Sequence, residues 1–159
     1  MATWQELTVE EPEFAASARE LFEARVHKTI ATLRRDGSPR ISGTEARFAH
    51  DELWFGSMWR SRKALDLGRD PRFALHSGSI DPPDWTGDAK VSGRAEEVED
   101  EERKRALLDA TGGDAPEGPW HLFVARIEQA VITRLAESRD HLVIETWSEG
   151  NGLRRMQRR

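Results

Sequence analysis

The chain has 159 residues, a length typical of one domain that buries a substantial core. It contains no Cys and no Tyr, which excludes disulfides, thiolate chemistry and a phenolic acid or base. No apolar run approaches the roughly 18–20 residues needed to span a bilayer, and the acidic start lacks the basic-then-apolar layout of a signal peptide. We therefore expect a cytoplasmic protein with no membrane segment.

The charged residues narrow the function further. The net charge of −5 argues against a general nucleic-acid-binding protein. Only four of the 24 basic residues are Lys, which leaves 20 Arg. This excess reflects either a genome rich in G and C or Arg side chains that bind a carboxylate or phosphate with two hydrogen bonds. Composition does not separate these two explanations, whereas position along the chain can.

The first predicted element is a helix from about residue 12 to residue 26. Its apolar residues recur at the spacing of one helix face, and Pro12 suits a first helical turn. A three-stranded antiparallel meander is then predicted over residues 28–57. Its strands are 29–33, 39–48 and 53–55, and the Asp36-Gly37 pair between the first two is a strong hairpin signal.

The second half of the chain continues the same pattern of short strands and short helices. Ser61 is a good N-cap for a helix that ends before Pro71, and Asp100 caps another that ends at Gly112. The remaining strands are predicted at residues 73–76, 89–98, 121–135 and 142–147. The C-terminal segment, which is rich in Arg, is expected to be a solvated, mobile end.

These elements define a fold class. Six or seven strands, mostly joined as hairpins, with three short helices predict a mainly β (α+β) protein built on a small closed barrel. A parallel sheet is disfavoured because no crossover helices separate the strands. We predict a single domain over residues 1–159, with an N-terminal helix at about 12–26, a barrel at about 27–148 and a basic tail at 149–159.

Residues 56–65 carry the clearest binding signal in the chain. A strand ends there in Gly56 and Ser57, and a helix begins with Ser61, Arg62 and Lys63. The first backbone N–H groups of a helix are unpaired and partly positive, so two cations at that end favour a phosphate site. The alternative is a capped helix whose cations face water. The five His residues are scattered without metal-ligand spacing, so no metal site is predicted.

The order of these motifs resembles that of the pyridoxamine 5′-phosphate oxidase-like, FMN-binding split β-barrel family, which includes flavin- and deazaflavin-dependent oxidoreductases. The resemblance is carried by residues 28–33, 36–40, 53–56, 61–64 and 70–75, and it is strongest over residues 27–98. It implies a six-stranded antiparallel split β-barrel with short flanking helices. It also implies a homodimer with two cofactor sites at the subunit interface.

The resemblance assigns roles to individual residues of the phosphate motif. Arg62 and Lys63 match the basic pair that binds the cofactor phosphate, beside Ser61. Gly56 and Ser57 match strand-end positions whose backbone and hydroxyl approach the cofactor. These residues form the core of the predicted cofactor site.

Other positions match the family less closely. Arg47 matches a basic position on the second strand, and Trp147 matches an aromatic residue near the cofactor. Ser42 stands where the oxidase has Arg, and Asp88 where it has Gln. Glu45 would repel an electron-rich anionic cofactor, but strand alternation places it on the same face as Arg47, which favours an ion pair.

The resemblance therefore implies an oxidoreductase that binds FMN or the deazaflavin coenzyme F-420 and transfers hydride to or from a small-molecule substrate. No side chain is an obvious general acid, so no catalytic residue is assigned. Two other functions stay open: a non-catalytic protein that binds or carries a flavin or tetrapyrrole, and a degenerate barrel that serves only as a dimeric interaction protein.

Overall fold

The structure is a computed structural model that describes all residues from 1 to 159. It contains four helices and eight strands. The helices are α1 (Trp4–Glu10), α2 (Pro12–Glu23), α3 (Arg62–Arg69) and α4 (Glu101–Asp109). The strands are β1 (His27–Leu33), β2 (Pro39–Ala49), β3 (Glu52–Met58), β4 (Arg72–His76), β5 (Gly87–Glu97), β6 (Trp120–Leu135), β7 (Leu142–Ser148) and β8 (Gly152–Arg158).

Six of the strands close into an antiparallel barrel. They follow the order β3-β2-β1-β4-β5-β6, and pairing between β3 and β6 closes the ring. Closure removes the exposed edges that a flat sheet of this size would present. The predicted six-stranded antiparallel barrel with short flanking helices is confirmed.

The longest strand, β6, joins the barrel to an outer hairpin. Its first residues pair with β3 from Met58↔Trp120 to Trp54↔Val124, and its later residues pair with β7 from Gln129 onwards. Strand β8 then pairs with β7 along its whole length. The expectation of a mobile C-terminal tail was therefore wrong. Gly150 and Gly152, both with positive φ, form the turn that returns the chain onto β7.

The N-terminal region also differs in detail from the prediction. Helix α2 begins at Pro12 as expected but ends at Glu23 rather than near Val26. A further short helix, α1, precedes it. Thr3 caps α1 by accepting a hydrogen bond from the Glu6 amide while the Glu6 carboxylate accepts one from the Thr3 amide. This reciprocal capping stabilises a helix that is too short to persist by propensity alone.

The main core lies inside the barrel and under α1 and α2. It is a cluster of 25 buried apolar residues, in which Phe22, Phe55 and Trp147 are among the largest fully buried side chains. A second cluster of six residues, which includes Trp54, lies beneath α4. None of the four helices combines the length and the apolar content that crossing a bilayer requires.

Candidate functional site

A cavity of about 470 Å³ opens where β3 ends and α3 begins; we call it the β3–α3 cavity. Its size falls in the range of small-molecule sites. It brings together five of the predicted site residues, namely Arg47, Gly56, Ser57, Ser61 and Lys63. Its other lining residues come from β2, β3, β6 and the exit of α4, namely Glu45, Trp54, Met58, Leu108, Gly113, Asp114, Pro116 and Trp120.

Two serines hold the turn between β3 and α3. The Ser61 hydroxyl accepts a hydrogen bond from the Ala64 amide at 3.3 Å, which makes Ser61 the N-cap of α3. The Ser57 hydroxyl lies 2.5 Å from the Ser61 hydroxyl, and Ser57 is buried. The Ser61 carbonyl accepts from the Leu65 amide, so among the first amides of α3 those of Arg62 and Lys63 are left without an intrahelical acceptor.

Lys63 places a positive charge on the cavity wall. Its ammonium donates a hydrogen bond to the carbonyl of Gly43 on β2 at 2.9 Å, and no carboxylate forms an ion pair with it. Burial lowers the pKa of the Lys63 ammonium from its ordinary value, since the charged form is poorly solvated there. An anion in the cavity would compensate this charge. The neighbouring Arg62 side chain is exposed, does not line the cavity and forms no ion pair.

Arg47 is less free than Lys63. Its guanidinium donates to the Glu45 carboxylate at 2.9 Å, and both side chains are partly exposed on the same face of β2. The predicted pairing of these residues is confirmed. Because Glu45 already neutralises Arg47, the Lys63 ammonium is the uncompensated cation on this lining.

Two tryptophans that the sequence did not assign to the site form its apolar part. Trp54 is 3% exposed, and its indole Nε1 is buried with no hydrogen-bond partner. Trp120 faces Gly56, since a Cβ added at Gly56 would lie 3.6 Å from the Trp120 ring. Trp54 and Gly56 are two residues apart on β3 and therefore share a face, a pattern that could have identified Trp54 from sequence.

Two further predicted site residues lie outside the cavity. Ser42 is half-buried on β2, where it pairs with Ile30 of β1. Trp147 lies on β7 in the main core, 1% exposed, and its Nε1 also lacks a hydrogen-bond partner. Neither residue lines the β3–α3 cavity.

A buried carboxylate anchors α3 against the barrel. Asp66 is 3% exposed and accepts hydrogen bonds from Thr32 at 2.9 Å, Arg40 at 2.7 Å and Arg69 at 3.1 Å. Burial alone would raise the pKa of Asp66, but the three hydrogen bonds outweigh burial and lower it. The ionised carboxylate therefore ties α3 to β1 and β2 and keeps the first turn of the helix at the cavity.

The fold and the cavity together define a class: an antiparallel split barrel with a small-molecule pocket at a strand-to-helix junction. A family profile described as pyridoxamine 5′-phosphate oxidase matches residues 14–134. The chain belongs to this family, as the sequence motifs indicated. No curated protein sequence matches the chain.

Solved structures share the same fold. A pyridoxamine 5′-phosphate oxidase-related, FMN-binding protein from Nostoc punctiforme PCC 73102 is 14% identical, with a TM-score of 0.64 and coverage of 100% of this chain and 98% of that one. A conserved hypothetical protein from Mycobacterium tuberculosis is 22% identical, with a TM-score of 0.62 and coverage of 72% and 81%. A protein named as an F-420 reductase is 23% identical, with a TM-score of 0.54 and coverage of 70% and 94%. At these identities the likeness shows the fold.

The cavity residues fit a cofactor that is anionic at one end and planar at the other. The Lys63 ammonium and the free amides of α3 suit a phosphate. The buried Trp54 Nε1 is an unused hydrogen-bond donor on the same lining, and it would be satisfied by an acceptor on a bound ring. Glu45 and Asp114 lie on the lining as well, so the positive charge is concentrated at α3.

Proposed function

We propose that the protein is an oxidoreductase that binds FMN or the deazaflavin coenzyme F-420 and transfers hydride to or from a small-molecule substrate. The observation that carries the proposal is the Lys63 ammonium, half-buried at the start of α3 with only a carbonyl as its partner. Family membership and the FMN-binding and F-420 reductase neighbours support a cofactor of the flavin type.

The protein's own residues would bind and orient the cofactor. Lys63 and the amides of α3 would hold the phosphate, and the exposed Arg62 beside them would add a second positive charge at the start of the helix. Trp54, Gly56 and Trp120 would provide a largely apolar surface against the ring. The cofactor supplies the hydride chemistry when bound.

Binding without turnover is the second candidate function. Glu45 and Asp114 on the cavity lining would disfavour negative charge that builds up on a reduced ring. A protein that carries a flavin or tetrapyrrole needs no such stabilisation. The two candidates differ in whether the bound cofactor is reduced and reoxidised by any donor and acceptor.

The test begins with the visible absorption spectrum of the freshly purified protein, followed by titration of cofactor-free protein with FMN and with F-420. We expect micromolar binding of one of them. The double variant Arg62→Gln/Lys63→Met should weaken that binding by about a hundredfold, from the loss of two charge-assisted contacts. Arg154→Gln, an exposed site on β8, is the control. Failure of both cofactors to bind would reject the proposal.

We also propose that the protein is a homodimer. Four apolar side chains on segments that frame the β3–α3 cavity are exposed, namely Ile41 (75%), Met58 (80%), Trp59 (55%) and Leu65 (43%). Apolar groups exposed together near a site suggest a covering surface. Sedimentation velocity should give twice the chain mass, and Met58→Glu should lower it to the monomer value.

A further inference from the structure

A second cavity, of about 360 Å³, lies between α2 and β2; we call it the α2–β2 cavity. It arises because β1 pairs with β2 only as far as His27↔Glu45, while β2 continues to Ala49 with β3 alone. The edge of β2 beyond Glu45 has no neighbouring strand there. The end of α2 and the segment that follows it cover this edge without filling the space.

The lining of this cavity carries an excess of positive charge. It includes four cations and two carboxylates. Arg19 pairs with Glu23 at 2.9 Å, and Arg47 pairs with Glu45 at 2.9 Å. The two remaining cations are Arg25 and Lys28, and neither of them forms an ion pair.

Lys28 is a buried cation that forms no ion pair. Its side chain is 5% exposed, and its ammonium donates only to the carbonyls of Arg25 and Val26. Burial, and then the charge of Arg47, lower the pKa of this ammonium from its ordinary value, and the carboxylates of Glu45 and Glu23 offset only part of this shift. A buried charge whose hydrogen-bond partners are neutral carbonyls gains from an anion that binds it directly. Arg25 is partly exposed, with one hydrogen bond at 3.3 Å to the Ala24 carbonyl.

The residues that line the α2–β2 cavity determine which kind of anion can bind there. Ala46 and Phe48 give it an apolar surface, so an organic group can pack against it. Glu23 and Glu45 on the same lining would repel a second negative charge. The cavity therefore favours a singly charged anion attached to an apolar group over inorganic phosphate.

We propose that the α2–β2 cavity binds a small organic carboxylate through Arg25 and Lys28, with the apolar part of the molecule against Ala46 and Phe48. Glu45 and Arg47 line both cavities, so the two sites adjoin. The carboxylate would thus be the substrate class of the oxidoreductase; this role rests on the proposed function, whereas the binding itself does not.

The test measures binding rather than turnover. Cofactor-free protein is titrated calorimetrically with benzoate, with its neutral isostere benzamide and with inorganic phosphate. We expect one benzoate per chain, bound at least about tenfold more tightly than benzamide or phosphate. Equal affinity for benzoate and benzamide, or no benzoate binding at millimolar concentration, would overturn the proposal.

Variants locate the site. Arg25→Gln and Lys28→Met should each weaken benzoate binding by about tenfold. Lys63→Met in the other cavity and Arg154→Gln on β8 should leave it unchanged. Because the Lys28 ammonium also donates to backbone carbonyls, Lys28→Met can perturb folding. Arg25 is partly exposed, so Arg25→Gln tests the site without this complication. A loss of benzoate binding in Lys63→Met but not in Arg25→Gln would contradict the assignment.

These experiments distinguish failure of the cofactor proposal from failure of the carboxylate-site proposal. Benzoate binding without FMN or F-420 binding would reject the cofactor proposal and leave the carboxylate site standing. Cofactor binding with benzoate binding unaffected by Arg25→Gln would reject the carboxylate site alone.

Discussion

The ammonium of Lys63, on the first turn of α3, donates a hydrogen bond to the Gly43 carbonyl on β2 at 2.9 Å. This contact holds the cation against the barrel instead of letting it extend into water. The side chain is therefore already ordered, so binding an anion would cost little further side-chain entropy. A single lysine can for this reason contribute strongly to cofactor affinity.

Cofactor affinity should fall at alkaline pH. Burial lowers the pKa of Lys63 below its ordinary 10.5, so the free protein loses this charge earlier than an exposed lysine would. The FMN dissociation constant should rise as pH increases towards 10.5, while that of Lys63→Met should change little. Fluorescence titration of FMN across this range measures both. A wild-type dissociation constant that is flat to pH 10.5 would contradict the assigned role.

The lowered pKa of Lys63 should also make the stability of the cofactor-free protein depend on pH. The folded-state pKa of Lys63 is below the unfolded value, so the unfolded chain binds more protons between the two values. The cofactor-free protein should gain stability, relative to Lys63→Met, as pH rises through that alkaline interval. Urea unfolding at matched pH values provides the comparison.

Neutralising Glu45 should strengthen cofactor binding. The Glu45 carboxylate pairs with Arg47 on the cavity lining at 2.9 Å, and both groups are partly exposed. Glu45→Gln would free the Arg47 guanidinium for the cofactor and remove a repulsive charge, so we expect up to about fivefold tighter FMN binding. Glu102→Gln on the exposed face of α4 is the control. Weaker binding by Glu45→Gln would show that the carboxylate itself assists the ligand.

Substitutions of Trp54 and Trp147 should differ in their effect on FMN affinity. Both have a buried indole Nε1 without a partner, but Trp54 lines the β3–α3 cavity and Trp147 lies in the main core. Trp54→Phe should weaken FMN binding by about tenfold. Because Trp54 also belongs to the second core cluster, the same change should lower the unfolding free energy by about 1–2 kcal/mol. Trp147→Phe should lower the unfolding free energy by about 1–2 kcal/mol without changing affinity. A loss of affinity in Trp147→Phe would instead support the family match for that residue.

Removing the charge of Asp66 should loosen α3. The Asp66 carboxylate accepts hydrogen bonds from Thr32, Arg40 and Arg69. Asp66→Asn should lower the unfolding free energy by about 2–3 kcal/mol in urea, and Asp109→Asn on exposed α4 should not. Because the pKa of Asp66 is lowered, the wild type should lose this advantage over Asp66→Asn as pH falls below 3.8. An unchanged unfolding midpoint would mean that other contacts hold the helix.

Local signals in the sequence were sufficient for most of the barrel. The Asp36-Gly37 pair predicts the β1–β2 hairpin, and Gly37 does adopt positive φ there. Ser61 predicts the start of α3 and is its N-cap in the structure. At this hairpin and this helix start, the turn and cap residues favour the same conformation as the tertiary fold, so the local sequence predicts both correctly.

Features that depend on contacts between distant residues could not be predicted from the local sequence. The many Arg residues of the C-terminal segment indicated a solvated end, whereas the segment forms strand β8 and pairs with β7. The roles of most Arg residues also depend on distant partners. Arg40 pairs with Asp66, 26 positions away, and Arg126 pairs with Glu52, 74 positions away. No local pattern encodes such contacts.

The outer hairpin places strand β8 at the end of the strand order, with β7 as its only neighbour. Unpaired edges of this kind are where sheets of separate molecules join. Arg154, Arg155 and Arg158 project from this strand into solvent, so two such edges repel each other. The repulsion between exposed charges is screened by salt. The protein should accordingly stay dispersed best in dilute buffer, and high ionic strength should promote its aggregation through β8.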